Sequence, residues 1–477
     1  MTDKSSVIFG NKMSEKTIKG ANKSKAKFLK KYGDDSSAHY QIGFEPIKTL
    51  DFLGASNIVF KQASEPFDEK ALIVGNIRMG FGHYRISIAI ASCAKALGYN
   101  PVWMDLASFD ATGSKMIADQ NALYSLASKI SQKSKLFNAI VWEPLNSEGF
   151  RKITYNATDQ CNSELLAPLY HDLPKDVPFV ATHAWPSQGA IHAGLTHVVN
   201  AIPDNWPMAL HLSEGAIHVV QTPRAYFGYK ILDGFDKVSL KGMGDDDIKL
   251  VGHYVDHELV ENIEKDCAAR IARREKGEPM RILLSVGGAG AGEKQFLAML
   301  EHLIPMTRED KVALFLNLGD HKEMYDKLRA KLPELEKAKK FFNQYDEFKK
   351  HVENLEHAEG VYLVENDDIF EAVYSTNILM RQVDLLVTKP SELVFYPIPK
   401  IFQRHIGGHE VYGGIYGEQL GDATYECPDV ISMNRMLDTL IEDNVLYRSI
   451  CDRIVALKKT GVYNGGYEAV KLAVKGR

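Results

Sequence analysis

The sequence predicts an α/β protein of two domains, each built on a parallel sheet, and three observations predict it. At 477 residues the chain is too long for one ordinary core. An apolar run, a glycine turn and a helical pattern follow one another from Ala71, and the same order restarts at Arg281, about 200 residues later. The apolar runs are continuous rather than alternating, as in strands buried on both faces of a sheet covered by helices.

Taken in order, residues 1–67 read as a basic N-terminal extension. Up to about residue 36 the chain is rich in Lys, Ser, Asn and Gly, which suits a mobile or loosely docked arm, or an electrostatic tether to an anionic surface. Residues 68–275 form the first predicted domain. "ALIVGN" is a buried strand; Ile86, Ile90, Cys93, Ala94 and Leu97 then recur at helical spacing, Gly98 sits where a C-cap glycine would, and "PVWMDL" is a second strand. This is a βαβ unit with its right-handed crossover. Residues 276–477 form the second domain, entered through the charged linker "EKGEPM". "RILLSV" is followed by the turn "GGAGAG" and the helix "EKQFLAMLEHLI"; "KVALFLNLG", "GVYLVEN", "VDLLVTKP" and "KIFQ" add strands. The charged stretch from Leu328 to Glu359 reads as solvated surface helices.

The composition narrows the function. A net charge of −5 carries no whole-chain signature of nucleic-acid binding. The five scattered cysteines form no C-x-x-C pair, which argues against a zinc site or a disulfide framework and fits a reducing compartment. No apolar stretch reaches the roughly 18 residues of a spanning helix, and no secretory signal is present. The expectation is a cytoplasmic protein whose membrane contact, if any, is peripheral. "SKISQKSKLFNAIVW", from Ser128 to Trp142, mixes lysines with apolar residues and reads either as core packing or as a membrane-facing segment.

Two glycine turns feeding helix N-termini offer backbone N–H groups and a positive dipole end, which suits phosphate. Neither turn has dinucleotide spacing or a P-loop ending. With one turn from each half, a cleft between the domains could hold a diphosphate-bearing donor on one side and its acceptor on the other.

The motifs "GFGHYRISIAIASCAKALG", "RILLSVGGAGAG", "VYLVENDDIFEAV", "DLLVTKPSELVFYPIPKIF" and "GGHEVYGGIYGEQLGD" resemble those of the GT-B glycosyltransferases. The similarity is to the branch holding the peptidoglycan lipid-intermediate N-acetylglucosaminyltransferase and the diacylglycerol glycosyltransferases. It runs from about Ala71 to Asp422 as separated motifs in the expected order. The resemblance implies two Rossmann-like domains with parallel sheets facing a central cleft. It also implies transfer of a sugar from a nucleotide sugar, a UDP-sugar in this branch, to a small-molecule or lipid-linked acceptor, with inversion and without a metal or other cofactor.

On the donor side the resemblance casts Gly287, Gly288, Gly290 and Lys389 against the diphosphate, Glu392 on the ribose hydroxyls, and His409 and Glu410 near the sugar or phosphate. Gly82, His183 and Trp185 fall on the acceptor side. His83 is suited to act as base because its ordinary pKa is near neutrality and a helix start favours the neutral ring, although it could equally fill the turn. Asp204 is a second base. The density of His183, His192 and His197 invites a metal, but the helical H-x-x-x-H spacing is missing. Two alternatives stay open: a nucleotide-sugar epimerase or hydrolase on the same scaffold, and a non-catalytic nucleotide-sugar or lipid-binding protein, which the loop before Glu392, shorter than in the family, supports.

Overall fold

The computed structural model describes residues 4–78, 80–133, 149–285, 293–405 and 408–476, the side chains of 124–129, 131–133, 293 and 409 apart. A two-residue ribbon, β1 (Val7–Ile8) and β2 (Asn11–Lys12), opens the chain. The first large sheet holds β3 (Ile42–Pro46), β4 (Ser56–Phe60), β5 (Ala71–Asn76), β6 (Asn100–Asp105), β7 (Phe179–Ala181), β8 (Val198–Ala201), β9 (Ile217–Val220) and β10 (Ile248–Leu250). Their spatial order is β10-β9-β8-β7-β5-β6-β4-β3, parallel except for the β3–β4 pair. The second sheet holds β11 (Met280–Ser285), β12 (Val312–Asn317), β13 (Lys339–Phe342), β14 (Val361–Glu365), β15 (Leu385–Thr388), β16 (Lys400–Gln403) and β17 (Ala423–Cys427). It is parallel throughout, in the order β13-β14-β12-β11-β15-β16-β17.

The two Rossmann-like domains form as the sequence predicts, because the continuous apolar runs are buried on both faces of each sheet: every residue of β5, β11 and β12 is buried. Three domain boundaries differ from the sequence reading. Residues 1–67 are not a separate arm. β3 and β4 extend the first sheet, and the helix Glu15–Tyr32 packs against the helix Ile153–Ser163 through its apolar face. The boundary after residue 275 shifts too, since Val255, Leu259, Val260, Ile263 and Cys267 lie in the second domain's core. Conversely, the last helix, Gly465–Lys475, returns to the first domain and packs on β7, β8 and the helix Phe81–Ala96, burying Ala469, Val470 and Ala473. Sequence reasoning did not expect either crossing, because an apolar helical face does not say which sheet it covers.

The helix Phe81–Ala96 shows the same effect. Its pattern predicts one apolar face, yet Tyr84 through Ala94 are all buried. One side covers the first sheet, and the other meets the helix Ile369–Met380 of the second domain and the returning C-terminal helix. Among the described residues, no helix is long and apolar enough to cross a membrane.

Candidate functional site

In each sheet the chain first builds on one side of a central strand and later returns to its other side: β6 and then β7 flank β5, and β12 and then β15 flank β11. At such a switch point the loops diverge and leave a crevice beyond the strands' carboxyl ends. The first crevice lies beyond β5 and β7. Gly80, at φ +130°, turns the chain into the helix that opens at Phe81, and His83 sits in its first turn. His83 Nδ1 is 2.7 Å from the carbonyl oxygen of Thr182, which follows β7. A carbonyl can only accept, so Nδ1 carries the proton and Nε2 keeps its lone pair. Burial pushes the His83 pKa down, while the Thr182 carbonyl and the charge of Asp204 pull it back, and the balance lies below the ordinary histidine value. The ring is therefore neutral at neutral pH.

Two further histidines stand close by. His183 caps the helix Ala184–His192, its Nδ1 accepting from the Trp185 N–H at 3.1 Å, and its ring meets His83 edge-on at 5.2 Å. Burial, then the neighbouring His83 and His211, hold its pKa well below the usual value. His211 Nε2 lies 3.0 Å from Asp204 Oδ2. The predicted histidine group does not gather beyond this. His192 bonds the Gln160 carbonyl, and His197 packs against Gly476 at the far end of the chain. Trp185, cast by the resemblance on the acceptor side, is buried, and its indole packs in the first domain's core. Among the described residues, no three His, Cys, Asp or Glu side chains form a metal-binding group. Asp105 accepts from the Tyr84 hydroxyl at 2.5 Å and caps the following turn, a structural role.

The second crevice lies beyond β11 and β15. Gly287, Gly288 and Gly290 fall outside the described residues, as do the His409 side chain and most of the Ser128–Trp142 segment. Lys389 and Glu392 follow β15 directly. Lys389 Nζ bonds Glu410, so two residues assigned to the donor neutralise each other. Burial draws the lysine pKa down, but Glu410, Glu392 and Asp204 more than offset this and keep the ammonium charged. The charge of Asp204 acts on both His83 and Lys389, and Glu392 of the second domain stands against Gly82 of the first, so the polar groups of the two crevices lie near one another.

Glu392 thus reaches the first domain. A Cβ built on Gly82 would stand 3.5 Å from Glu392 Oε2, so the glycine leaves the carboxylate its place. Arg85 lies beneath this contact, a residue that sequence reasoning missed. It belongs to the first domain, is 2% exposed, and bonds Asn377 Oδ1 at 2.8 Å and Thr376 Oγ1 at 3.3 Å in the second. Its Nε, without a hydrogen-bond partner, faces Glu392 Oε1 at 4.0 Å. The signal available was a single arginine inside an apolar, small-residue helix. The domains also meet at a second contact. Trp206 and Tyr412 stack at 4.9 Å, Arg224 covers the Tyr412 ring at 3.4 Å, and Asn205 Nδ2 donates to the Tyr412 carbonyl at 2.9 Å.

Residues 7–231 match a family described as a domain of unknown function (DUF6937), and residues 243–474 match a second such domain (DUF6938). No curated protein sequence matches the chain. Solved structures that resemble it include a UDP-GlcNAc 2-epimerase from Neisseria meningitidis bound to UDP-GlcNAc, with 10% identity, a TM-score of 0.45, and coverage of 85% of this chain and 100% of that one. A glycosyltransferase from Rickettsia africae has 12% identity, a TM-score of 0.40, and coverage of 86% and 97%. An α,α-trehalose-phosphate synthase (UDP-forming) from Burkholderia vietnamiensis has 10% identity, a TM-score of 0.37, and coverage of 68% and 76%. At these values the likeness bears on no individual residue of this chain.

Proposed function

We propose that this protein is a glycosyltransferase that moves a sugar from a nucleotide sugar, with UDP as the nucleotide, to a small-molecule or lipid-linked acceptor. The observation that supports the reading is a neutral histidine, with Nε2 as its unprotonated nitrogen, one residue from Gly82, against which Glu392 of the opposite domain stands with Lys389 close in sequence. In this reading the acceptor hydroxyl attacks the anomeric carbon and its proton passes to His83 Nε2. The bond from that carbon to the diphosphate breaks, with inversion. Lys389 and the turn holding Gly287, Gly288 and Gly290 take the departing charge; Glu392 accepts from the ribose hydroxyls. His183, neutral and packed on His83, positions the base. No metal is assigned a role.

A second reading, a nucleotide-sugar epimerase, draws support from the Asp204–His211 pair, which in that reading would serve as a second proton-exchanging group. The two separate in one experiment: incubation with a panel of nucleotide sugars, with and without extracted lipids and simple sugars, followed by chromatography of the nucleotides. Nucleotide release that depends on an acceptor supports transfer. An isomerised donor without any acceptor supports the epimerase. Binding with neither product overturns both.

A further inference from the structure

The helix Glu15–Tyr32 carries lysines at 16, 19, 23, 27 and 30, all exposed. Steps of three and four residues keep side chains on one face, so the five ammonium groups form a single row about 21 Å long at the helical rise. The opposite face holds the helix in place. Ala21 is buried, Phe28 and Leu29 lean on the first domain's core, Lys25 reaches Glu164 at 2.5 Å, and Asn162 Nδ2 donates to Ser24 Oγ at 3.2 Å. The only acid in the helix is Glu15, in the first turn where it suits the dipole. Lys31, off the row, has Asp119 at 2.5 Å; no row lysine has an ion pair among the described residues. Five like charges in line repel one another, and gain only when a surface of opposite charge meets them.

The neighbouring helix, Thr112–Lys133, exposes Leu123 (67%) and Ile130 (40%), seven residues apart on one face. A basic row on one helix, with exposed aliphatic side chains on a helix packed against it, is the composition of a surface that lies on a bilayer. Nucleic-acid recognition favours arginine and stacked aromatic rings, and the row contains neither.

We propose that the helix Glu15–Tyr32 docks the first domain on an anionic lipid bilayer. The docking rests on the outer face of the domain and is independent of what the cleft binds. The test is co-sedimentation of the full chain with vesicles of phosphatidylcholine alone or mixed with phosphatidylglycerol. The expected result is binding to the anionic vesicles only, lost in high salt. The triple variant Lys19→Glu, Lys23→Glu, Lys27→Glu should lower partitioning at least about tenfold, since each lysine near such a surface contributes several-fold. Lys19→Gln, Lys23→Gln, Lys27→Gln, with helix formers throughout, should give a smaller loss at an unchanged melting temperature, and serves if the charge reversal does not fold. Equal binding to both vesicle types, binding to neither, or salt-sensitive binding to a duplex DNA probe without vesicle binding would each overturn the proposal.

Discussion

At the first switch point the polar groups are histidines held neutral; at the second they are ions held charged. His83 and His183 are both depressed by burial, and the Thr182 carbonyl and the Trp185 N–H set their tautomers. Lys389 is partly enclosed, and there Glu410 and Glu392 hold its proton on. Both crevices come from the same strand arrangement, so the difference lies in the partners. Without an adjacent carboxylate burial neutralises a base, and with one it preserves the charge. In the proposed mechanism the first crevice exchanges a proton, and the second meets one end of a polar ligand.

The strongest way to break this contrast is to remove the neutral base. His83→Ala should lower kcat by about a thousandfold, within the usual range for a general base, while nucleotide-sugar affinity by calorimetry stays within about threefold. Activity surviving within a few fold would remove His83 from the mechanism. On the charged side, Lys389→Met removes the ammonium that faces buried Glu410, and the protein should lose about 2 kcal/mol of stability in urea titration. Adding Glu410→Gln should recover most of it. An additive pair would mean that the two side chains are not coupled. Glu392→Gln comes next: donor affinity should weaken about tenfold with kcat little changed, as when one charged hydrogen-bond acceptor is lost. A loss in kcat alone would move Glu392 from binding to chemistry.

The pH dependence sharpens the comparison with smaller effects. His83 must be neutral to act and its pKa is lowered in the fold, so kcat/KM should hold down to below pH 6.5 before its acid limb begins. A limb centred above 6.5 would contradict the burial of this ring. The same depression adds stability that is complete above about pH 6.5 and is lost as the pH falls through the folded value. Asp159 works in the opposite sense. Burial pushes its carboxyl up to about 8, so its contribution is present at low pH and is lost as the pH rises through that value. Asp159→Asn should therefore raise the melting temperature at pH 9 by a few degrees, and change little at pH 3, below the ordinary carboxylate pKa. Least of all, Gly82→Ala adds a methyl at ordinary contact distance from Glu392, and should leave stability within about 0.5 kcal/mol.

Much of the scaffold was legible because the apolar runs at Ala71–Asn76, Met280–Ser285 and Leu385–Thr388 are continuous, and burial on both sheet faces demands that. β3 and β4 were not legible. They sit at the sheet edge as an antiparallel pair, where partial exposure mixes polar and apolar residues. The glycine–histidine turn announced His83, but nothing local announced that Lys389 would meet Glu410 or that Asp204 would meet His211.

The sequence by itself determined two domains, two parallel sheets and the strand ends at which polar residues collect, since periodicity and turn chemistry act over a few residues. Only the tertiary structure decided that the last helix returns to the first domain, that Arg85 bridges to Asn377 and Thr376, and that the helix Glu15–Tyr32 turns a row of lysines outward. Those outcomes depend on which buried face finds which partner and on how far burial shifts a charge, and neither is set until residues hundreds of positions apart are packed together.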